Sequence, residues 1–316
     1  ITVDKSVSDP HIVTFLPDGK RLFMGGSSLT LWDIQNRTIL RDFQHGAGYF
    51  GSALSPDGKR VAAGYVSSEH VFVGLFDIET GNRTCGIDYQ MKELPPKYPS
   101  ETNPRVSVAI SPGGNILITG DSRGRLISWD TATGNMIREY NVYSNLMAIP
   151  LGQVVFLWDQ RHVLVSPGGM HVELVDLDKD EIVYSVCGSP GYSLSSDLSR
   201  LLVYGDAFLL YETSTGNILR SIPAEKTPLR GVALSPDGNL AIAGSVSGDE
   251  GTYPLKVVDL RTGETLRTYP VAPGGLVGFS PDGKYFLRAE NNKLLFYDIS
   301  DLQAAVKEPG VENQGK

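Results

Sequence analysis

The stretch that decides the fold runs from Val106 to Tyr140: Val106-Ser-Val-Ala-Ile110, Ser111-Pro-Gly-Gly114, Ile116-Leu-Ile-Thr-Gly120-Asp121, Leu126-Ile-Ser-Trp129-Asp130, Thr133-Gly134-Asn135, Met136-Ile-Arg-Glu-Tyr140. Short apolar runs alternate with turn signals, which predicts a four-stranded antiparallel meander. In this kind of turn, proline presets φ, an Asp where present bonds its own backbone, and glycine supplies a positive φ.

The same pattern recurs along the chain. The first turn returns as Pro17-Asp18-Gly19, Ser55-Pro56-Asp57-Gly58, Ser235-Pro236-Asp237-Gly238 and Ser280-Pro281-Asp282-Gly283, with degenerate copies at Asp159 and Asp197. The step that ends the third strand returns as Trp32-Asp33, Phe76-Asp77, Val175-Asp176, Tyr211-Glu212, Val258-Asp259 and Tyr297-Asp298. The last turn returns as Thr80-Gly81, Thr215-Gly216 and Thr262-Gly263. Seven units at a period of roughly 44 residues lie in the range of propeller blades.

On these residues the chain resembles the WD-repeat family of β-propellers, over nearly all of its 316 residues. The resemblance rests on Trp32-Asp33, Trp129-Asp130, the Ser-Pro-Asp-Gly turns and Gly120-Asp121 through Gly124. It implies an all-β, seven-bladed propeller of four-stranded antiparallel blades. It also implies a buried His–Asp–Ser/Thr–Trp hydrogen-bond network, although the family's Gly-His dipeptide is absent and His45-Gly46 reverses it. Function does not follow from the fold, because one fold hosts many activities.

The expected blades cover residues 11–43, 50–88, 106–140, 152–187, 191–222, 230–269 and 275–299. Together they form one domain over residues 1–308, followed by a flexible polar tail over 309–316. Blade seven lacks a clear fourth strand, for which Ala304-Ala305-Val306 is a poor candidate. The alternating Ile1-Thr-Val-Asp-Lys5 segment is expected to supply that strand and close the ring. Many strands lack clean alternation, as strands buried on both faces should. In blade four, Ser166-Pro167-Gly168-Gly169 imitates the first turn but falls one hairpin later.

Composition narrows the function classes. A net charge of −8 argues against nucleic acid as a partner, and no apolar run is long enough to span a membrane. Cys85 and Cys187 fall on fourth strands of different blades, too far apart for a disulfide. Two unpaired thiols favour a reducing, cytoplasmic compartment. A chain that begins at Ile1 also fits a trimmed domain, or a secreted or periplasmic mature chain.

Four irregular connections (66–70, 89–104, 142–151 and 245–254) share the end of the blades that carries the second-to-third-strand hairpins. The short turns share the other end. Insertions on one face of a repeat protein often mark its binding face. The 89–104 connection has four prolines, which exclude a central strand or regular helix. Tyr89, Met91, Leu94 and Tyr98, with Tyr143 and Tyr253 from other connections, are the candidate partner-binding residues. The alternative is that the 89–104 connection packs on its own blade.

Chemical motifs are sparse. Asp176-Leu-Asp178-Lys-Asp180-Glu181 imitates the alternating acids of a calcium loop but lacks the turn glycine and the later bidentate Glu, so a solvated turn is expected. Asp249-Glu250 alone is too small a set for a metal. His162 and His171 sit on neighbouring strands and are expected to approach each other, as structural residues. No zinc spacing, haem attachment, nucleophile elbow or phosphate loop is present. Arg41, Arg138, Arg220 and Arg267 share one repeat position, either as a basic perimeter or as rim residues whose stems cover strand surface. Asn36-Arg-Thr38 and Asn82-Arg-Thr84 match the glycosylation pattern, within turns where Asn and Thr are expected anyway.

The reading is a non-catalytic interaction scaffold that takes a protein or peptide partner, alone or as a module of a larger protein, with no cofactor and no metal. The alternative is an extracytoplasmic enzyme, or a cofactor- or ligand-binding protein, that uses the central channel. The first strands, such as Val13-Thr14-Phe15 and Val108-Ala109-Ile110, are too small and apolar to favour it.

Overall fold

The computed structural model describes residues 2–4, 12–25, 29–43, 51–67, 69–91, 105–142, 151–169, 171–187, 192–205, 207–223, 229–245, 253–271, 277–290 and 293–302. These form seven four-stranded antiparallel sheets, the blades. Four blades belong to one compact unit, Val7–Pro190, and three to a second, which joins Ile1–Ser6 to Gly191–Lys316.

In the first unit, blade one is Ile12–Phe15, Arg21–Gly25, Leu29–Asp33 and Thr38–Asp42. Blade two is Gly51–Leu54, Arg60–Ser67, His70–Asp77 and Arg83–Gln90. Blade three is Val106–Ile110, Ile116–Asp121, Leu126–Asp130 and Met136–Tyr140. Blade four is Leu151–Phe156, His162–Pro167, His171–Asp176 and Glu181–Cys187.

In the second unit, blade five is Tyr192–Leu194, Arg200–Tyr204, Ala207–Glu212 and Ile218–Pro223. Blade six is Leu229–Leu234, Leu240–Ser245, Tyr253–Asp259 and Thr265–Val271. Blade seven is Val277–Phe279, Tyr285–Glu290 and Lys293–Asp298, with Thr2–Asp4 as its fourth strand, paired antiparallel from Thr2 opposite Leu295 to Asp4 opposite Lys293. The Ala304–Val306 stretch and the tail lie outside the described residues.

The core lies between blades. In blade three, Leu117, Ile127 and Trp129 pack with Val71, Val73, Leu75 and Ile87 of blade two. Their sequence neighbours Ile118 and Leu126 pack the other way, with Val154, Val163 and Val165 of blade four. Each middle strand therefore buries both faces, which explains its near-continuous apolar sequence. Met136–Tyr140, the fourth strand of blade three, has no buried residue, whereas Arg83–Gln90 in blade two alternates between exposed and buried positions. The first strands of blades two and three come so close that a Cβ on Gly51 would lie 2.3 Å from the Val106 carbonyl oxygen. Only glycine fits there.

The turns behave as their chemistry requires. Ser55 is buried, and its hydroxyl donates to Asp57 Oδ1 (2.6 Å) and accepts from the Arg60 amide (2.9 Å). Ser235–Asp237 (2.6 Å) and Ser280–Asp282 (2.7 Å) repeat the bond. That Ser55 hydroxyl bond is the main reason the Asp57 carboxyl titrates below its usual range. At the last turn, Asp130 Oδ1 accepts from the Thr133 amide (2.8 Å) and hydroxyl (2.9 Å). Asp77 does the same with Thr80, so the recurrent Asp-x-x-Thr-Gly is a capping device. Ser166–Gly169 does fall at the second-to-third-strand hairpin of blade four, and Asp159 holds that blade's first turn by accepting from the Arg161 and His162 amides.

Candidate functional site

At the irregular end, blade two stands apart. Three of its strands run to eight residues, and its hairpin pairs without interruption from Arg60 opposite Asp77 to Ser67 opposite His70. The 66–70 irregularity is thus the tip of a lengthened ribbon. Along one side of that ribbon, Tyr65 stacks on Phe72 (5.0 Å) and Phe72 on His70 (6.1 Å), and His70 Nδ1 lies 3.1 Å from Asp88.

Tyr89 belongs to the fourth strand of this ribbon, opposite Val71. Its ring stacks on Trp129 of blade three (5.1 Å), with the Arg125 guanidinium 5.2 Å over it. Its hydroxyl donates to Thr119 Oγ1 (3.3 Å), the same oxygen that accepts from Trp129 Nε1 (3.0 Å). Burial, with the nearby Asp121 carboxylate, pushes the Tyr89 phenol well above its ordinary range. Met91 is 2% exposed and sits in the core shared by blades two and three. Half-buried Tyr89 and buried Met91, both expected as partner-binding residues, therefore anchor the base of the connection against blade three. The alternation Cys85, Ile87, Tyr89 runs along the apolar face of the Arg83–Gln90 strand and continues to Met91 just beyond it, a pattern visible in the sequence.

Leu94, Tyr98 and Tyr143 lie outside the described residues. Tyr253 begins the third strand of blade six, opposite Val271.

The blade three hairpin beside this stem is held by charge. Arg123 meets Glu69 (2.7 Å), and Arg125 grips Glu139 with two bonds (2.9 and 3.2 Å) while donating to the Gln90 carbonyl (2.9 Å). Asp121 is fully buried, and its Oδ1 accepts from the Arg123 and Arg125 amides (both 3.0 Å). Asp121 Oδ2 and the neighbouring Ser122 hydroxyl have no partner among the described residues. Burial holds the Asp121 carboxyl above its usual range. Of the network implied by the resemblance, the Thr119–Trp129 bond is present, joined by Tyr89 from the preceding blade.

The turn end is laced by arginines that the sequence reading only partly found. Arg41 of blade one donates to the Thr80 (2.9 Å) and Glu79 carbonyls of blade two, and Arg138 of blade three donates to Asp180 (2.6 Å) and the Leu177 carbonyl (3.2 Å) of blade four. Arg267 of blade six meets Asp301 (2.6 Å). Arg220 makes no such bond among the described residues. A second series starts the second strands of blades one, two and five: Arg21 meets Glu79 (2.6 Å), Arg60 the Gly114 carbonyl (2.6 Å) and Arg200 the Gly238 carbonyl (2.9 Å). Most of these guanidiniums tie one blade to the turns of the next, so they do not form a free basic perimeter.

The remaining motifs resolve likewise. Asp176 is gripped by both arms of Arg161, which holds its carboxyl down at about 2, and Asp180 is taken by Arg138. Two of the turn's four carboxylates are thus gripped by arginines. No group of three or more potential metal ligands occurs among the described residues. His162 pairs with Asp176 in the sheet and contacts Asp159 (2.8 Å), whereas His171 pairs with Cys187. The two histidines sit at opposite ends of their hairpin, which corrects the expected approach: antiparallel register separates them. Both cysteines are free.

This is the geometry against which the comparisons with known proteins stand. No family model matches the chain. Over 197 residues, 61% of this chain, it is 22% identical to the BTB/POZ domain and WD-repeat protein R61 of Acanthamoeba polyphaga mimivirus. The chain spans about a third (36%) of that relative's length. Among solved structures, the β-propeller domain of Myceliophteria thermophila Cps50 (Swd1) matches with a TM-score of 0.74 at 14% identity, over 95% of this chain and 99% of that one. The fold is a seven-bladed β-propeller. Its repeats resemble those of WD-repeat propellers, to one of which it is distantly similar in sequence.

Proposed function

We propose that this propeller is a non-catalytic scaffold that binds a protein or peptide through the 89–104 connection together with Tyr143. The observation that carries this reading is the anchoring of the connection's stem. Tyr89, stacked between Trp129 and Arg125, and the buried Met91 fix where the connection leaves blade two. A connection whose base is held by packed residues suits recognition, and Leu94 and Tyr98 are anchor-type residues in its sequence. The apolar first strands, with Val108 and Ala109 buried, favour this over chemistry in a channel.

A Leu94→Ser/Tyr98→Ser double variant tests it. Used as bait beside the wild type, with crosslinking and mass spectrometry, it should lose at least one specifically captured protein while keeping its Tm. An identical captured set would sink the assignment.

We further propose that the pairing of Thr2–Asp4 with Lys293–Asp298 closes the ring. Removing residues 1–8 strips blade seven of its fourth strand, so Tm should fall by several degrees, at about 2–4 °C per kcal/mol. An unchanged melt would refute the closure.

A further inference from the structure

The first turn of blade four breaks the rule of its counterparts. Its backbone is the same: the Leu157 amide donates to the His162 carbonyl (3.0 Å), as the Ser55 amide does to Arg60 (2.9 Å). The residue after this donor is Pro17, Pro56, Pro112, Pro236 or Pro281 in five blades, and Trp158 here. The turn does not require an indole. The position projects outward, and Trp158 is 46% exposed, whereas the two other tryptophans, Trp32 and Trp129, are 4% and 5% exposed.

The surroundings select a ligand chemistry. The His162 ring is tilted against the indole at 6.3 Å and is itself held by Asp159 (2.8 Å). The cations of this blade's end are already matched: Arg161 by Asp176 and Asp178, Lys179 by Glu181 (3.2 Å). Asp178 and Glu181 remain open to solvent, with side chains 73% and 57% exposed. Gln160, bound to Asn115 (2.8 Å), draws the adjoining blade three turn close. That turn carries Gly113-Gly114 where four counterparts carry Asp-Gly, so it lacks their aspartate side chain. An indole face is the best aromatic acceptor for a cation, and the chain's net charge of −8 draws cations toward it.

We propose that Trp158 anchors a second recognition point, at the turn end of blade four, for a protein segment that presents an arginine. The guanidinium stacks on the indole, and Asp178 supplies the countercharge. This site is independent of the 89–104 connection.

The test uses a capped Arg-Gly-Arg-Gly-Arg-Gly peptide and its glutamate counterpart, titrated into the intact chain at low salt. Acrylamide quenching of tryptophan fluorescence reports mainly on Trp158, because Trp32 and Trp129 are buried. The arginine peptide should bind saturably and shield Trp158 from acrylamide, and the glutamate peptide should do neither. Trp158→Pro restores the residue of the other blades and so keeps the turn. By calorimetry it should weaken arginine-peptide binding about tenfold, or about 1.4 kcal/mol, and Asp178→Asn should weaken it less. Equal binding of the two peptides, or unchanged affinity in a folded Trp158→Pro variant, would overturn the proposal.

Discussion

Blades three and four share the bulge before the third strand's last apolar residue, yet they meet their turns with different residues. Blade three uses Ser-Pro-Gly-Gly and Asp-x-x-Thr-Gly. Blade four uses Leu-Trp-Asp-Gln and Asp-x-x-Lys-Asp. Where blade three places Gly134 at φ +73°, blade four places Asp180 at φ +57°. Where the Thr133 hydroxyl caps Asp130, the Arg161 guanidinium grips Asp176. The comparison teaches that the fold demands a positive φ and a satisfied carboxylate, and leaves open which side chains provide them. Residues beyond that minimum, Trp158 above all, are free to serve another purpose.

The sharpest way to break the comparison is to give blade three the side chain that blade four tolerates. A Cβ on Gly134 would lie 2.9 Å from the Gly86 carbonyl oxygen and 3.0 Å from Cys85 Sγ. Left-handed backbone costs an L-residue about 1–2 kcal/mol before any clash. Gly134→Ala should therefore cost roughly 2–3 kcal/mol, read as a lower urea midpoint with an unchanged slope. A loss under about 0.5 kcal/mol would show that the blade two strand yields easily.

Next in size is the Asp176 grip. Asp176→Asn keeps the shape but loses the charge, and with Arg161 partly exposed the cost should be about 1 kcal/mol at pH 7. The sign with pH follows from the depressed carboxyl. Folded Asp176 titrates at about 2 against an ordinary value of 3.8, so its stabilisation is complete above pH 4 and fades as pH falls toward 2. Urea midpoints of wild type and variant should converge over that window. A gap that persists at pH 2 would assign the effect to packing.

What was legible followed from local chemistry. The turns needed no tertiary knowledge, because proline, aspartate and glycine each act within four residues, and seven recurrences gave the blades. The misreadings came from contacts between blades. Tyr89 and Met91 were assigned to a connection because the prolines after them dominate the stretch. Their inward direction depends on Trp129 and Val106, which belong to another blade. The arginine ties were half legible: Arg41 and Arg138 recur, but their acceptors are carbonyls that carry no sequence signal. Trp158 escaped notice because its turn is degenerate, and only the structure aligns it with the prolines.

The smallest effect is the most discriminating. Asp180→Gly gives blade four the glycine of blade three and relieves its left-handed aspartate, a gain of about 1 kcal/mol. It also frees a buried Oδ1 that has no partner among the described residues. Against this, it removes the Asp180 bond to Arg138, an ion pair whose arginine is 43% exposed and which should contribute about 0.5–1 kcal/mol. The two nearly cancel, so the single variant should melt close to wild type. In an Arg138→Met background the bond is already gone, and the same substitution should stabilise by about 1 kcal/mol. The difference between the two backgrounds measures what the tie between blades three and four contributes. If Asp180→Gly stabilises both equally, the arginine is ornamental, and blade four keeps its aspartate for a reason outside the fold.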